Sequence, residues 1–364
     1  MTSNKPRVIA FYLPQYYPTE TNDKYWGKGF TEWTNVCKAR PLFRGHYQPN
    51  IPADLGFYDL RLKETRLAQA EMAKEHGIEG FCYYHYWFGN DRRELERPFQ
   101  EVLESGEPDF PFMLCWANES WHKKFWNIDG VFSKNIIVEQ QYNGIEDYTK
   151  YFYSVLPAFK DSRYMKTDNK PMFMIYKPLD FPDVDVFIKL WKDLAEKNGL
   201  NGLYFIGQAT DYEKQKVLIF NKGFDAVNTV RVDDIHKRRN RIFRGLYKLY
   251  RTIFNVPLCY KYSTVINYFI TEIEKQENVF PTLIPNFDHT PRSGKNGYVY
   301  INSTPKLFGK SVKDAIEAIK EKPKDKQFIF IKSWNEWGEG NYLEPDIKWG
   351  NKYLLEIKNL VLTL

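Results

Sequence analysis

Short runs of apolar, β-branched and aromatic residues recur along the chain, each followed by a polar loop and then by apolar positions at helical spacing. The runs are Val8 to Leu13, Gly80 to Tyr84, Phe112 to Trp116, Met172 to Tyr176, Tyr204 to Gly207, Ala226 to Thr229, Thr282 to Asn286 and Phe328 to Lys332. Helical spacing is clearest over Arg61 to His76, Gly144 to Phe159, Val184 to Asn198, Tyr212 to Asn221 and Val312 to Glu321. Repeated βα units build parallel sheets, and eight of them over 364 residues predict a closed α/β architecture, a (β/α)8 TIM barrel. No glycine-rich phosphate turn follows the first run, which continues as Leu13-Pro14-Gln15-Tyr16-Tyr17-Pro18, so a doubly wound dinucleotide fold is set aside.

The alternation lapses between about 231 and 278, and one domain over 1–364 with a helical insertion before strand seven accounts for it. The insertion opens with a basic, aromatic stretch in which Ile242, Leu246, Leu249 and Phe254 form a stripe surrounded by Arg and Lys. Such a stripe fits two structures: a helix packed on the barrel with a solvated basic face, or an interfacial helix over about 237–254 on anionic lipid. No nucleic-acid-binding module accompanies the patch, so no nucleic-acid partner is expected.

Composition adds little except in its rings: 17% of residues are aromatic, including 10 Trp, an endowment suited to stacking on sugars as well as to a core. No apolar run reaches the length of a membrane span and no hydrophobic signal region precedes the first strand, which predicts a cytoplasmic location, with the basic segment as a peripheral contact at the inner membrane face. Cys37, Cys82, Cys115 and Cys259 have no CxxC spacing and read as free thiols. The six histidines include no His-x-x-x-His pair and no serine lies in a Gly-x-Ser-x-Gly elbow, so neither a metal nor a cofactor is expected.

In a barrel the loops after the strands build the active site. The last of them reads Ser333-Trp334-Asn335-Glu336-Trp337-Gly338-Glu339-Gly340. Cleavage of a glycosidic bond asks for two carboxyl groups whose pKa values are held apart, and Glu336 and Glu339 would emerge together from a helical turn. Trp334 and Trp337 flank them, and exposed at a barrel mouth they would serve as sugar platforms. The same theme recurs in other loops. Tyr16 with Glu32 and Trp33 forms a second aromatic and acidic cluster, expected to line the donor subsite, and Tyr84, His85 and Trp87 alternate across strand two. Trp116, Asn118, Glu119 and Trp121 follow strand three, with Glu119 the best third carboxylate. Asp288 and Arg292 after strand seven read either as a substrate-positioning pair or as an ion pair of the rim.

These residues carry a resemblance. Ile9 to Pro18, Gly29 to Thr34, Gly80 to Trp87, Cys115 to Trp121 and Ser333 to Gly340 resemble the WbsX-type proteins of bacterial surface-polysaccharide clusters, which are described as glycosyltransferases of O-antigen or capsule assembly. Their domain is similar to glycoside hydrolase family 99, the endo-α-mannosidases. In that hydrolase family the first glutamate of such a pair deprotonates the sugar 2-hydroxyl, whose oxygen attacks C1 to form an anhydro sugar, and the second protonates the leaving oxygen. The resemblance thus implies Glu336 as base and Glu339 as acid. The chain departs from the hydrolase pattern Glu-Trp-His-Glu at Gly338, which removes an imidazole and puts mannose specificity in question.

The expected function is a carbohydrate-active enzyme that cleaves or transfers glycosidic linkages in O-antigen, lipopolysaccharide or capsule metabolism, acting on a glycan or a lipid-linked oligosaccharide. Two other readings stand beside it: a catalytically silent glycan-binding barrel, and a nucleotide-sugar transferase using the Asp233 and Asp234 carboxylates to hold a metal.

Overall fold

The structure, a computed structural model, describes residues 5–122 and 136–363. Eight parallel strands close into a barrel: β1 (Arg7–Tyr12), β2 (Gly80–Trp87), β3 (Phe112–Trp116), β4 (Lys170–Ile175), β5 (Tyr204–Ala209), β6 (Ala226–Thr229), β7 (Val279–Leu283) and β8 (Phe328–Ile331). Closure is made by β1, which pairs with β8 in the register Val8 to Ile329 and with β2 in the register Ile9 to Gly80. Inside, the rings of Phe11, Tyr84 and Phe330 fill the barrel, with Phe11 5.4 Å from Tyr84 and 5.6 Å from Phe330. Such filling makes the barrel a packed core that presents chemistry only at its rim.

The longer helices are α1 (Lys63–Glu75), α2 (Arg97–Ser105), α3 (Ile145–Lys160), α4 (Val184–Lys197), α5 (Tyr212–Asn221), α6 (Arg241–Phe254), α7 (Pro305–Ile319) and, after the last strand, α8 (Lys352–Val361). The barrel expected from the alternation is present, with α6 in the segment before β7. Most boundaries fall within three residues of the expected ones, and two of the shifts have a local cause. Strand β7 spans Val279–Leu283, three residues earlier than its apolar run predicted, because Pro281 takes a ladder position opposite Thr229 without breaking the strand. Helix α7 begins at Pro305, well before the predicted start at Val312, because Thr304 caps it through Leu307 N and Pro305 sits in its first turn.

Residues of β2 alternate as the pleat requires. Tyr84 packs against Phe11 inside, whereas Tyr83 faces Tyr12 and Phe99, and Trp87 stacks on Tyr151 of α3. The cysteines are free, Cys82 and Cys115 buried in the barrel wall. Among the described residues no helix is long and apolar enough to cross a membrane.

Candidate active site

The loop after β8 makes a tight hairpin. Asn335–Glu336 pairs antiparallel with Asn341–Tyr342, and between them Trp337–Glu339 forms one 3-10 turn, the helical turn needed to set Glu336 and Glu339 side by side. Asn335 holds this hairpin to β1: its Oδ1 accepts from Leu13 N at 2.7 Å and its Nδ2 donates to Leu13 O at 3.0 Å. Ser333 Oγ donates to Asn341 O and accepts from Glu336 N, which fixes the first glutamate at the backbone.

Both carboxylates face a cleft of about 190 Å³ lined by Gln15, Tyr84, Tyr86, Glu119, Trp121, Tyr176, His289, Arg292 and Lys332. Lys332 Nζ lies 2.6 Å from Glu336 Oε2 and 3.4 Å from Glu339 Oε2, so one ammonium bridges the pair. From the other side Arg292 Nη1 lies 2.5 Å from Glu339 Oε1 and 4.0 Å from Glu336 Oε1, and its Nε donates to Glu32 Oε1 at 2.9 Å. Two buried carboxylates and the half-buried Glu339 thus surround two buried cations, so each charge is compensated within the cluster except for one negative excess.

That excess is unequally shared. Burial and the neighbouring Glu339 push the Glu336 carboxyl above its ordinary range, against the pull of Lys332 and Arg292. Burial acts on Glu339 too, but Lys332, Arg292 and His289 outweigh it and hold that carboxyl down at about 2. Burial also raises Glu32, with Arg292 opposing. His289, 3.8 Å from Glu339, has its pKa lowered by burial despite the attraction of that carboxylate. The chemistry this permits is proton transfer between two unlike carboxyl groups on either side of a small polar ligand.

The predicted site residues divide sharply. Glu336, Glu339, Arg292, Glu119, Trp121 and Tyr84 line the cleft, and Glu32 stands directly behind it on Arg292. Trp334 and Trp337 are fully buried, which corrects the expectation of exposed sugar platforms. Trp337 Nε1 donates to Glu344 Oε2 at 2.6 Å and its ring stacks on Tyr342, so these rings build the floor under the glutamates. Trp33, Trp87 and Trp116 are likewise buried, with indole hydrogen bonds to Tyr58 O, Asp147 Oδ2 and Trp87 O. Tyr16 is buried with its hydroxyl on Asn335 O, and Asn118 clamps the loop to Lys177 N and O. His85 points outward onto Tyr151, where burial lowers its pKa to about 3. It is a core histidine, because the pleat that sends Tyr84 and Tyr86 inward sends residue 85 to the helices.

Asp288 and Arg292 do not form a pair. Asp288 accepts from Gln48 Nε2 at 2.6 Å, lies 2.6 Å from His46 Nε2, and helps line a neighbouring cavity. Asp233 and Asp234 are tied to Lys237 and Arg231, and among the described residues no cluster of ligands suited to a metal occurs. Sequence reasoning passed over Lys332, Tyr86, Tyr176 and His289. Lys332 could have been found: a lysine that ends a buried barrel strand four residues before a glutamate needs a partner.

A family model described as "Glycosyltransferase WbsX" matches residues 8–357. A protein from Xanthomonas campestris pv. campestris, "Uncharacterized protein WxcX", is 30% identical over 360 residues, which cover 95% of this chain and 48% of that protein. The chain therefore spans about half the length of the curated relatives it matches. In fold it is similar to the GH99 endo-alpha-mannosidase of Bacteroides thetaiotaomicron, at TM-score 0.57, 16% identity and coverage of 98% of this chain and 97% of the other. A structure titled "Glycoside hydrolase-like protein" aligns at TM-score 0.62 and 15% identity, covering 99% of this chain and 95% of the other.

Proposed function

Because the chain belongs to the WbsX glycosyltransferase family, we propose that it cleaves or transfers glycosidic bonds during surface-polysaccharide metabolism, with Glu336 and Glu339 as the reacting carboxylates. One observation carries this reading: at the C-terminal rim of the barrel the two glutamates share a single ammonium, Lys332, in a cleft walled by Tyr84, Tyr86, Tyr176 and Trp121. Rings around paired carboxyl groups suit a pyranose better than a purely ionic substrate.

The roles follow the resemblance. Glu336 takes the proton of a sugar 2-hydroxyl, O2 closes on C1 as the C1–O bond to the leaving group breaks, and Glu339 returns a proton to the departing oxygen. Water or an acceptor hydroxyl then opens the anhydro ring with retention. In the free site the charges run against this order, since Glu339 is held ionised at about 2 while Glu336 is raised. A bound glycan that draws Arg292 onto its own hydroxyls while Lys332 stays on Glu336 reverses the order, because Arg292 lies 2.5 Å from Glu339 and 4.0 Å from Glu336: Glu339 is relieved and takes up the proton, and Glu336 keeps its cation.

The test is mass-spectrometric product analysis of the purified protein with free and lipid-linked bacterial glycans, beside Glu336→Gln and Glu339→Gln. Products that vanish in both variants support the reading, and products that persist remove these residues from the chemistry. A second reading, a silent glycan-binding barrel, draws on the same ion pairs, because both glutamates are already engaged in the free site. It gains the ground if glycans bind but none is converted.

A further inference from the structure

Helix α6 has no buried residue along its 14 positions. Ile242, Leu246, Leu249 and Ile253 follow one another at helical spacing and are 75%, 64%, 57% and 65% exposed, with Tyr250 and Phe254 beside them also exposed. A surface helix of a globular domain turns such a stripe toward the core; this one turns it outward.

The cations lie along another flank. Arg241, Arg244 and Lys248, with His236 and Arg251, line a cavity of about 390 Å³ under the helix. Among the described residues the salt bridges of this segment end at Lys237 and Arg238, and Arg241, Arg244 and Lys248 take part in none. The helix is also fastened to the catalytic rim. Tyr247 Oη donates to Cys259 O at 2.8 Å, the strand Leu258–Lys261 pairs in parallel with Tyr298–Ile301, and His289 N donates to Tyr298 O at 3.0 Å. The loop that delivers His289 and Arg292 to the cleft therefore carries α6 on its outer side.

We propose that α6 docks the enzyme on an anionic lipid surface, its apolar stripe entering the acyl boundary and its unpaired cations taking lipid phosphates. Charge decides the occupant. A second copy packed face to face would bring two sets of uncompensated cations together, whereas a phosphate-bearing surface neutralises them. Docking there brings the catalytic rim to the membrane, where lipid-linked glycans reside.

The experiment is vesicle flotation of the full chain, with phosphatidylcholine alone or mixed with phosphatidylglycerol. The chain should float with the mixed vesicles, poorly with phosphatidylcholine alone, and less as salt is raised. Leu246→Asp with Leu249→Asp should abolish flotation. Arg241→Gln, Arg244→Gln and Lys248→Gln should each weaken partitioning roughly five-fold. All these positions are exposed, so the fold is preserved, and circular dichroism checks it. Absence of wild-type flotation on anionic vesicles overturns the proposal, as does flotation that neither set of changes alters. A wild-type dimer that Leu246→Asp with Leu249→Asp splits, with no vesicle binding, overturns it too and assigns the stripe to a second copy.

Discussion

Glu32 occupies the space that a side chain on Gly338 would need. A Cβ at residue 338 would collide with the Glu32 carboxylate and approach Arg292 Nε to 3.1 Å. The glycine is therefore the counterpart of the Glu32–Arg292 ion pair: with no side chain at 338, a buried carboxylate fits there and holds an arginine over both glutamates.

Gly338→Ala should accordingly displace Glu32, unseat Arg292 and cost turnover on the order of a hundred-fold, the scale of an ångström-sized misplacement at a reacting centre. Glu32→Ala removes the same hold on Arg292, so its loss and that of Gly338→Ala should not add in the double variant. If the two losses add in full, Gly338→Ala does not act through this contact. Rates on the best glycan substrate, with melting temperatures alongside, decide it.

Lys332→Met should move the pH profile. A base must be ionised to act, so the rate falls as pH drops through the pKa of Glu336, which burial and Glu339 raise above the ordinary value. Lys332 opposes that rise, and removing it lifts the pKa further and shifts the acid limb of kcat/KM to higher pH. An acid limb that stays in place in Lys332→Met would mean Glu336 is not the group that titrates. A rate that instead falls as pH rises through the raised pKa exchanges the roles of the two glutamates.

Tryptophans of the two kinds should respond differently. Trp121 is half-buried on the cleft wall, edge-on to Tyr86 at 5.4 Å, so Trp121→Ala should raise KM several-fold and leave the melting temperature nearly unchanged. Trp337 is enclosed between Tyr342 and Trp33 with its indole on Glu344, so Trp337→Ala should lower stability by about 3 to 5 kcal/mol. Denaturant melts of the two variants, run beside their kinetics, separate floor from wall.

Much of this is legible in the amino-acid sequence. Continuous apolar runs alternating with segments of 3.6-residue period gave the barrel, because strands such as Val8 to Leu13 are buried on both faces and bounded by polar loops. The two glutamates were legible as a pair because a three-residue spacing brings side chains together once the loop makes a helical turn, as Trp337–Glu339 does. What periodicity could not assign was the direction of each aromatic ring. Trp334 and Trp337 flank the acids in sequence, yet the hairpin at Gly340, whose φ is 53°, folds them under the site, and only the pairing of residues 335–336 with 341–342 decides that. Arg292 was visible as a charge after strand seven, but its three carboxylate partners come from residues 32, 336 and 339, a convergence that exists only in the closed barrel.

The floor itself should be pH-sensitive. Glu344 is buried beneath Trp337, and burial lifts its carboxyl to about 7 even though Trp337, Gln69 and Tyr58 all donate to it. A carboxyl raised in the folded state binds its proton more tightly there than in the unfolded chain. Its contribution is fully present below the unfolded value, near 4.5, and is lost as pH rises through about 7. Glu344→Gln cannot ionise but keeps an acceptor for the indole, so its stability should decline less than the wild type's between these limits. Urea melts across that window provide the measurement, and two parallel curves would show that Glu344 does not titrate there. Should the curves diverge as expected, the acids above inherit the effect, because the Trp337 ring that Glu344 holds is part of the turn that sets Glu336 and Glu339 side by side.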